Sequence, residues 1–219
     1  MADFSDTDST PKPARVTKNR DVVTHPNLLK WAYEGKVWTA GLGVENSGID
    51  SDSAWDDTSP EAALVAPASS KILVLPILVR AMTHTEGGAL NVLQVCVTRA
   101  AADCATTLSV SGTAFTAIQN HNATYTTKPS ASALYTCTAS ALTNADYQSI
   151  LRAVQADDPV SGTGGLGFSR GTVLELDMLE TPRILHSGAA LLLYPYTGTS
   201  DQKYTYAITW AELTEADFR

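Results

Sequence analysis

Three stretches of this chain carry residue types at spacings that chemistry uses. Gly167-Phe168-Ser169-Arg170-Gly171 fits G-x-S-x-G, and Asp177 and His186 follow in the chain order of an α/β-hydrolase triad. A serine nucleophile of that kind needs a strand before it and a helix after it, so that its oxygen stands exposed on a sharp turn. Here a glycine-rich loop leads into an apolar run, Thr172 to Leu179, that reads as a strand. Asp177 and His186 would also have to be brought round from neighbouring strands, so a loop is expected and no catalytic serine. Gly162, Gly164 and Gly167 fit G-x-G-x-x-G. The dinucleotide-binding form requires a preceding strand and a following helix whose N-terminus faces pyrophosphate. Neither flank is present, and a tight surface loop able to cross a subunit boundary is the better account.

Asp50, Asp52, Asp56, Thr58 and Glu61 fall at positions 1, 3, 7, 9 and 12 of a calcium-loop template. Position 6, where the sharp turn wants glycine, is Trp55, and no flanking helices are evident. The stretch Asp50 to Glu61 is expected to be a solvated acidic loop, with calcium binding as the alternative. The four histidines, His25, His84, His121 and His186, have no partner four residues away and no cysteine at ligand spacing, so no metal site is assigned. Cys96, Cys104 and Cys137 are an odd number without C-x-x-C spacing. Small buried hydrophobes are expected, with a bridge from Cys96 or Cys104 to Cys137 left open. Asn122-Ala123-Thr124 matches a glycosylation acceptor, discounted because the N-terminus has no apolar core of signal-peptide type.

The elements around these stretches read as strands. Lys203 to Leu213 alternates cleanly, with Tyr204, Tyr206, Ile208 and Trp210 on one side and Thr205, Ala207, Thr209 and Ala211 on the other. Pro182 to Tyr196 is a second long apolar run, and Thr197 to Asp201 between them is turn chemistry, which predicts a terminal hairpin. Upstream, strands are expected over Lys36 to Glu45, Lys71 to Thr83, Ala89 to Thr98, Thr106 to Ile118, Ala133 to Ala141 and Thr172 to Leu179, eight in all. Asn46 to Pro67 reads as a long polar excursion. Pro76 needs a sheet edge or a bulge, because proline donates nothing to a ladder. Pro26 to Tyr33 suggests one short helical turn. A helix is predicted after Thr143, with Tyr147, Ile150, Leu151 and Val154 at helical spacing behind a polar cap.

At 219 residues the chain buries roughly 70% of its unfolded surface without needing disulfides or metal. The net charge is -8, and the few basic residues are scattered, which argues against gripping a nucleic-acid backbone. No run reaches the length of a membrane span, so a soluble chain is expected. Residues 1–26 are polar and cannot fold alone, and they read as an extended N-terminal arm able to order on a neighbour. Residues 27–219 form the single remaining domain.

The expected fold is all-β, an eight-stranded antiparallel jelly-roll sandwich with one short helix and that extended arm. An immunoglobulin-type sandwich usually needs about half this length and a Cys, Trp, Cys spacing that is absent. The polar arm, the Thr-, Ser- and Ala-rich strands, and the closing R-I-L-x-x-G-A-A-L-L-L-Y and Y-x-Y-x-I-x-W-x-E-L over residues 36–213 resemble single-jelly-roll structural proteins of viruses. The likeness is to bacteriophage capsid, decoration and tail components in particular. That resemblance implies a virion protein made in the host cytoplasm, assembled as a homo-oligomer with a trimer favoured. Its partners would be its own copies and other capsid or tail proteins, with no cofactor and no catalytic residues. The alternative is a carbohydrate- or receptor-binding sandwich of tail or spike type, with a glycan stacked on Trp55 among Asp50, Asp52, Asp56 and Asp57. A cupin-type enzyme would need a His and Glu ligand cluster that the chain lacks.

Overall fold

β-branched and aromatic residues alternating with small ones favour a pleated strand with two unlike faces, and such strands dominate the molecule. The computed structural model describes residues 3–5, 11–13, 27–43, 48–51, 56, 59–67, 71–85, 90–98, 118–125, 133–136, 147–157, 173–179, 182–186, 188–197 and 203–218. Within them the order is β1 (Asp3–Ser5), β2 (Pro11–Pro13), α1 (Asn27–Tyr33), β3 (Val37–Leu42), β4 (Ile49–Asp50), β5 (Ala62–Val65) and β6 (Leu73–Thr85). There follow β7 (Leu90–Thr98), β8 (Ile118–Asn120), β9 (Ala133–Thr136), β10 (Tyr147–Asp157), β11 (Val173–Asp177), β12 (Ala190–Thr197), β13 (Lys203–Leu213) and a 3-10 turn over Glu215–Phe218. The described residues are therefore mostly strand, antiparallel throughout, with one short α-helix among them.

Two larger sheets share one core. The first has the order β10-β7-β12-β5-β9; the second has the order β11-β6-β13-β3-β8, with β4 added on β13. Leu64, Leu93, Val95, Leu191 and Leu193 of the first sheet pack with Trp38, Val79, Tyr204, Ile208 and Trp210 of the second. The predicted alternation of β13 is what places Tyr204, Tyr206, Ile208 and Trp210 in that core. On the opposite face of the same sheet, α1 lays Trp31, Leu28 and Ala32 over Val37, Leu75, Ile77, Ala211 and Leu213. That spacing of three and four residues is the apolar stripe of a single amphipathic helix, and it leaves Leu29 and Tyr33 facing outward, both exposed.

Several expectations are corrected. The segment read as a helix after Thr143 is the strand β10, antiparallel to β7, with register shifts between Tyr147 and Ser149 and between Ile150 and Arg152. Irregular pairing disguises the two-residue period, and a ladder to a distant strand outweighs local spacing. The terminal hairpin does not form. β12 lies between β7 and β5, whereas β13 lies between β6 and β3 in the other sheet. Turn residues mark where a chain reverses, but they do not say whether the next strand pairs with the last or crosses to the facing sheet. Nor is Pro182 to Tyr196 one strand: Leu185 bridges Val74 of β6, Gly188 takes a positive φ of 86°, and β12 starts only at Ala190. The polar excursion from Asn46 to Pro67 contains β4 and β5, and β5 is an interior strand whose Ala62, Ala63 and Leu64 are fully buried. The described residues thus hold more than the eight strands expected, including β1 and β2, which pair with each other inside the N-terminal arm. Pro76 sits inside the sheet at a bulge, where the register with β13 passes from Leu78 to Pro76 between Thr209 and Trp210. Most of the predicted strand from Thr106 to Ile118 lies outside the described residues.

Candidate functional site

Among the described residues, those selected from the sequence do not converge. Ser169, the glycines of the G-x-G-x-x-G match, His25, Cys104 and Cys137 lie outside the described residues. Asp177, at the end of β11, accepts a hydrogen bond from Leu179 N at 2.8 Å, and His186 is exposed beside the Leu185 bridge. Of the calcium template, Asp52, Trp55 and Thr58 lie outside the described residues. Asp50 pairs with Lys203 at 2.7 Å, and Asp56 accepts from Ser59 Oγ at 2.8 Å. Among the described residues no three His, Cys, Asp or Glu side chains are grouped to hold a metal ion. Cys96 is a free, buried thiol whose pKa is pushed up to about 11 by burial, against a weaker opposing hydrogen bond from Gln94. A thiol so placed is not a nucleophile at neutral pH.

What the structure does assemble is a groove between α1 and the turn that follows β8. Its volume is ≈ 500 Å³, and its walls are Leu29, Ala32 and Tyr33 on one side and 121–125 on the other. Polar bonds tie the two walls together. Asn122 Nδ2 donates to Tyr33 O at 2.7 Å, while its Oδ1 accepts from Thr124 N at 3.1 Å and from Thr124 Oγ1 at 2.7 Å. Asn120 Nδ2 donates to Gly35 O at 2.6 Å and its Oδ1 accepts from Asn122 N at 2.7 Å. Asn122-Ala123-Thr124, which matched a glycosylation acceptor, is therefore a side-chain-capped turn in which both the oxygen and the nitrogen of the Asn122 amide are bonded.

Tyr125 lies across Gly35. A Cβ added to Gly35 would fall 2.8 to 2.9 Å from the Cγ and both Cδ atoms of the ring, so one face of the tyrosine rests on the bare glycine backbone. Gly35 also has a φ of +72°, the left-handed conformation that closes α1 and that glycine adopts without steric cost. His121 stands at the groove floor, with its Nε2 2.6 Å from Thr39 Oγ1, which in turn lies 2.7 Å from Thr209 Oγ1.

Next to the groove a charged corner pins the C-terminus to α1. Lys36 Nζ bonds Asp217 Oδ1 and lies 2.7 Å from Glu34 Oε2, and Asp217 Oδ2 accepts from Thr214 N at 2.7 Å and Thr214 Oγ1 at 2.9 Å. Burial works to lower the Lys36 pKa, and the two carboxylates outweigh it and raise it. Burial likewise works to raise that of Asp217, and the bonds from Lys36 and Thr214 outweigh it and hold the carboxyl below its ordinary range.

Deep in the shared core, Trp38 Nε1, Tyr204 Oη and Tyr206 Oη are buried with no hydrogen-bond partner among the described residues. The two tyrosine rings stack at 5.8 Å, and burial pushes both phenols up, that of Tyr206 far above its ordinary value.

Sequence reasoning missed the groove. The sequence suggested a short helical turn over Pro26 to Tyr33, but no local signal brings Tyr125 onto Gly35, some ninety residues earlier. No family model, curated protein or solved structure matches this chain.

Proposed function

We propose that the protein is a single-jelly-roll structural component of a virus particle, most closely a bacteriophage capsid decoration or minor capsid protein, assembled as a homo-oligomer with a trimer as the favoured state. The observation that carries this reading is the nesting of the strand pairs. β5 pairs with β12, β6 with β11 and β7 with β10, each antiparallel, so early strands pair with late ones in mirrored order. A long hairpin rolled into two sheets produces that order, with the sheet sequence β5-β12-β7-β10 as its signature. β8 and β9 stand beside β3 and β5 rather than beside each other, and so lie outside the nest. The link from this roll to a virion rests on likeness of architecture.

Two surface features suit packing against further copies. Beyond the area covered by α1, the outer face of the β13 sheet carries Thr205, Ala207 and the exposed Gly41, flanked by exposed Met82 and by the exposed Arg80–Glu175 pair, a mixed apolar and charged surface. Among the described strands β11 stands at the end of its sheet, and exposed Val173 sits opposite exposed Met82 there. Neither feature uses a cofactor or a catalytic group. Among the described residues no helix is long and apolar enough to cross a membrane.

Light scattering on the full-length chain and on a variant beginning at Val22 tests the reading. A closed oligomer that persists without the arm puts the contact on the sheets, and one that falls apart puts it on the arm. A monomer in both at tens of micromolar overturns it.

A further inference from the structure

We propose that the groove between α1 and the 121–125 turn is a binding site for a neutral saccharide, with the rings of Tyr125 and Tyr33 as its stacking surfaces. The inference is independent of the assembly reading and uses residues that reading leaves idle.

Four observations carry it. First, Tyr125 is held as a platform: one ring face lies on Gly35, and the residue is still 44% exposed. A ring fixed on one side and open on the other can stack on the C–H face of a pyranose without first losing side-chain freedom. Second, Tyr33 is 79% exposed at the end of α1, and the helix packs through Trp31, Leu28 and Ala32 instead. It has no packing duty to explain it, and it lines the same groove as Tyr125. Third, the walls are already joined, because Asn122 and Asn120 bind Tyr33 O and Gly35 O across the gap. Binding then needs little ordering of the protein. Fourth, the chemistry of the lining selects the ligand class. None of the lining residues is Asp, Glu, Lys or Arg, so nothing in the walls compensates a phosphate, a carboxylate or an ammonium group. Beside the two aromatic rings stand groups suited to hydroxyls, namely the Tyr33 and Tyr125 phenols and the second ring nitrogen of His121. Flat apolar faces edged by neutral donors and acceptors match the two faces and rim of a sugar ring. The cavity of ≈ 500 Å³ lies within the roughly 300–1,000 Å³ of small-ligand clefts.

Saturation-transfer difference NMR on the full-length chain, with lactose, maltotriose and N,N′-diacetylchitobiose as probes, tests the proposal. Transfer to the ring C–H protons of at least one probe is expected. Affinity for that probe should fall about tenfold in Tyr125→Ala, the loss expected for one aromatic stacking contact. Tyr33→Ala should also weaken it, and Leu179→Ala, an exposed apolar residue away from the groove, should leave it unchanged. Because Tyr125→Ala also uncovers Gly35, Tyr125→Leu serves as a second variant that keeps bulk over the glycine and removes the π face; it should bind as poorly as the alanine. No transfer from any of the three probes, or transfer undiminished in both Tyr125→Leu and Tyr33→Ala, overturns the site. Neither result touches the oligomeric state, so failure here is distinct from failure of the assembly reading.

Discussion

The middle of the two sheets and the corner around α1 are held by opposite means. Between the sheets the residues are large, apolar and buried, and Tyr204 Oη, Tyr206 Oη and Trp38 Nε1 have no hydrogen-bond partner among the described residues. At the outer corner of α1, past the face that packs through Leu28, Trp31 and Ala32, the contacts are directed bonds: Asn122 to Tyr33, Asn120 to Gly35, Asp217 to Lys36 and Thr214. The first region supplies cohesion through area removed from water, which is insensitive to pH and direction. The second supplies shape, since directed bonds hold a groove open that apolar collapse would close. A molecule that must both persist and present a surface separates the two tasks.

The contrast predicts four outcomes, measured as changes in urea midpoint and melting temperature. Trp210→Ala, at the centre of the core, should cost most, about 3–5 kcal/mol, by leaving a cavity between the sheets. Retention of stability there would mean that the two sheets do not share a core. Gly35→Ala comes next, at roughly 1–3 kcal/mol for a left-handed non-glycine residue. It should also displace the Tyr125 ring, seen as a shift in the Tyr125 ring resonances, because the new methyl occupies the ring's place.

Asp217→Ala should cost about 1 kcal/mol at neutral pH, the range of a lost helix cap. Here the sign of the pH dependence separates corner from core. The folded pKa of Asp217 is lowered, so its contribution is complete above the ordinary carboxylate range and is lost as pH falls through the folded value. Lys36 is raised, so its contribution is complete at neutral pH and is lost only as pH rises past the ordinary lysine range. The gap between wild type and Asp217→Ala should therefore be flat near neutrality and close in acid, while the Trp210→Ala gap stays open. Smallest is Tyr206→Phe, which deletes a buried hydroxyl with no partner among the described residues. It should stabilise by up to about 1 kcal/mol, and a loss of stability would reveal a partner for that oxygen.

The legible parts of the fold were those where one face is wet. β13 alternates because its outer face is only partly covered, and its bounds matched the expectation, Lys203 to Leu213. β12 is buried on both faces, Leu191 and Leu193 inward and Ala190, Leu192 and Tyr194 outward, so its run of apolar residues carries no period. It was therefore joined to Pro182 and given the wrong neighbour. β5 was hidden for a related reason: four residues of small apolar type inside an acidic stretch are too short to show periodicity, yet both faces are buried between β12 and β9. β10 was misread because its bulges shift the apolar residues out of step. Of the groove, only the short helix α1 was read from the sequence.

By itself the sequence determined that this is an all-β chain with a short helix near its start, which face of β13 is apolar, and that Pro76 must sit where the ladder is broken. These follow from local rules: side-chain alternation, helical spacing and the missing proline donor act over a few residues. The tertiary structure alone decided which strands are neighbours, that β12 and β13 belong to different sheets, and that Tyr125 lies on Gly35 to make one wall of a groove. Those contacts join residues tens of positions apart, and their free energy comes from burial and bonding that exist only once both partners are in place.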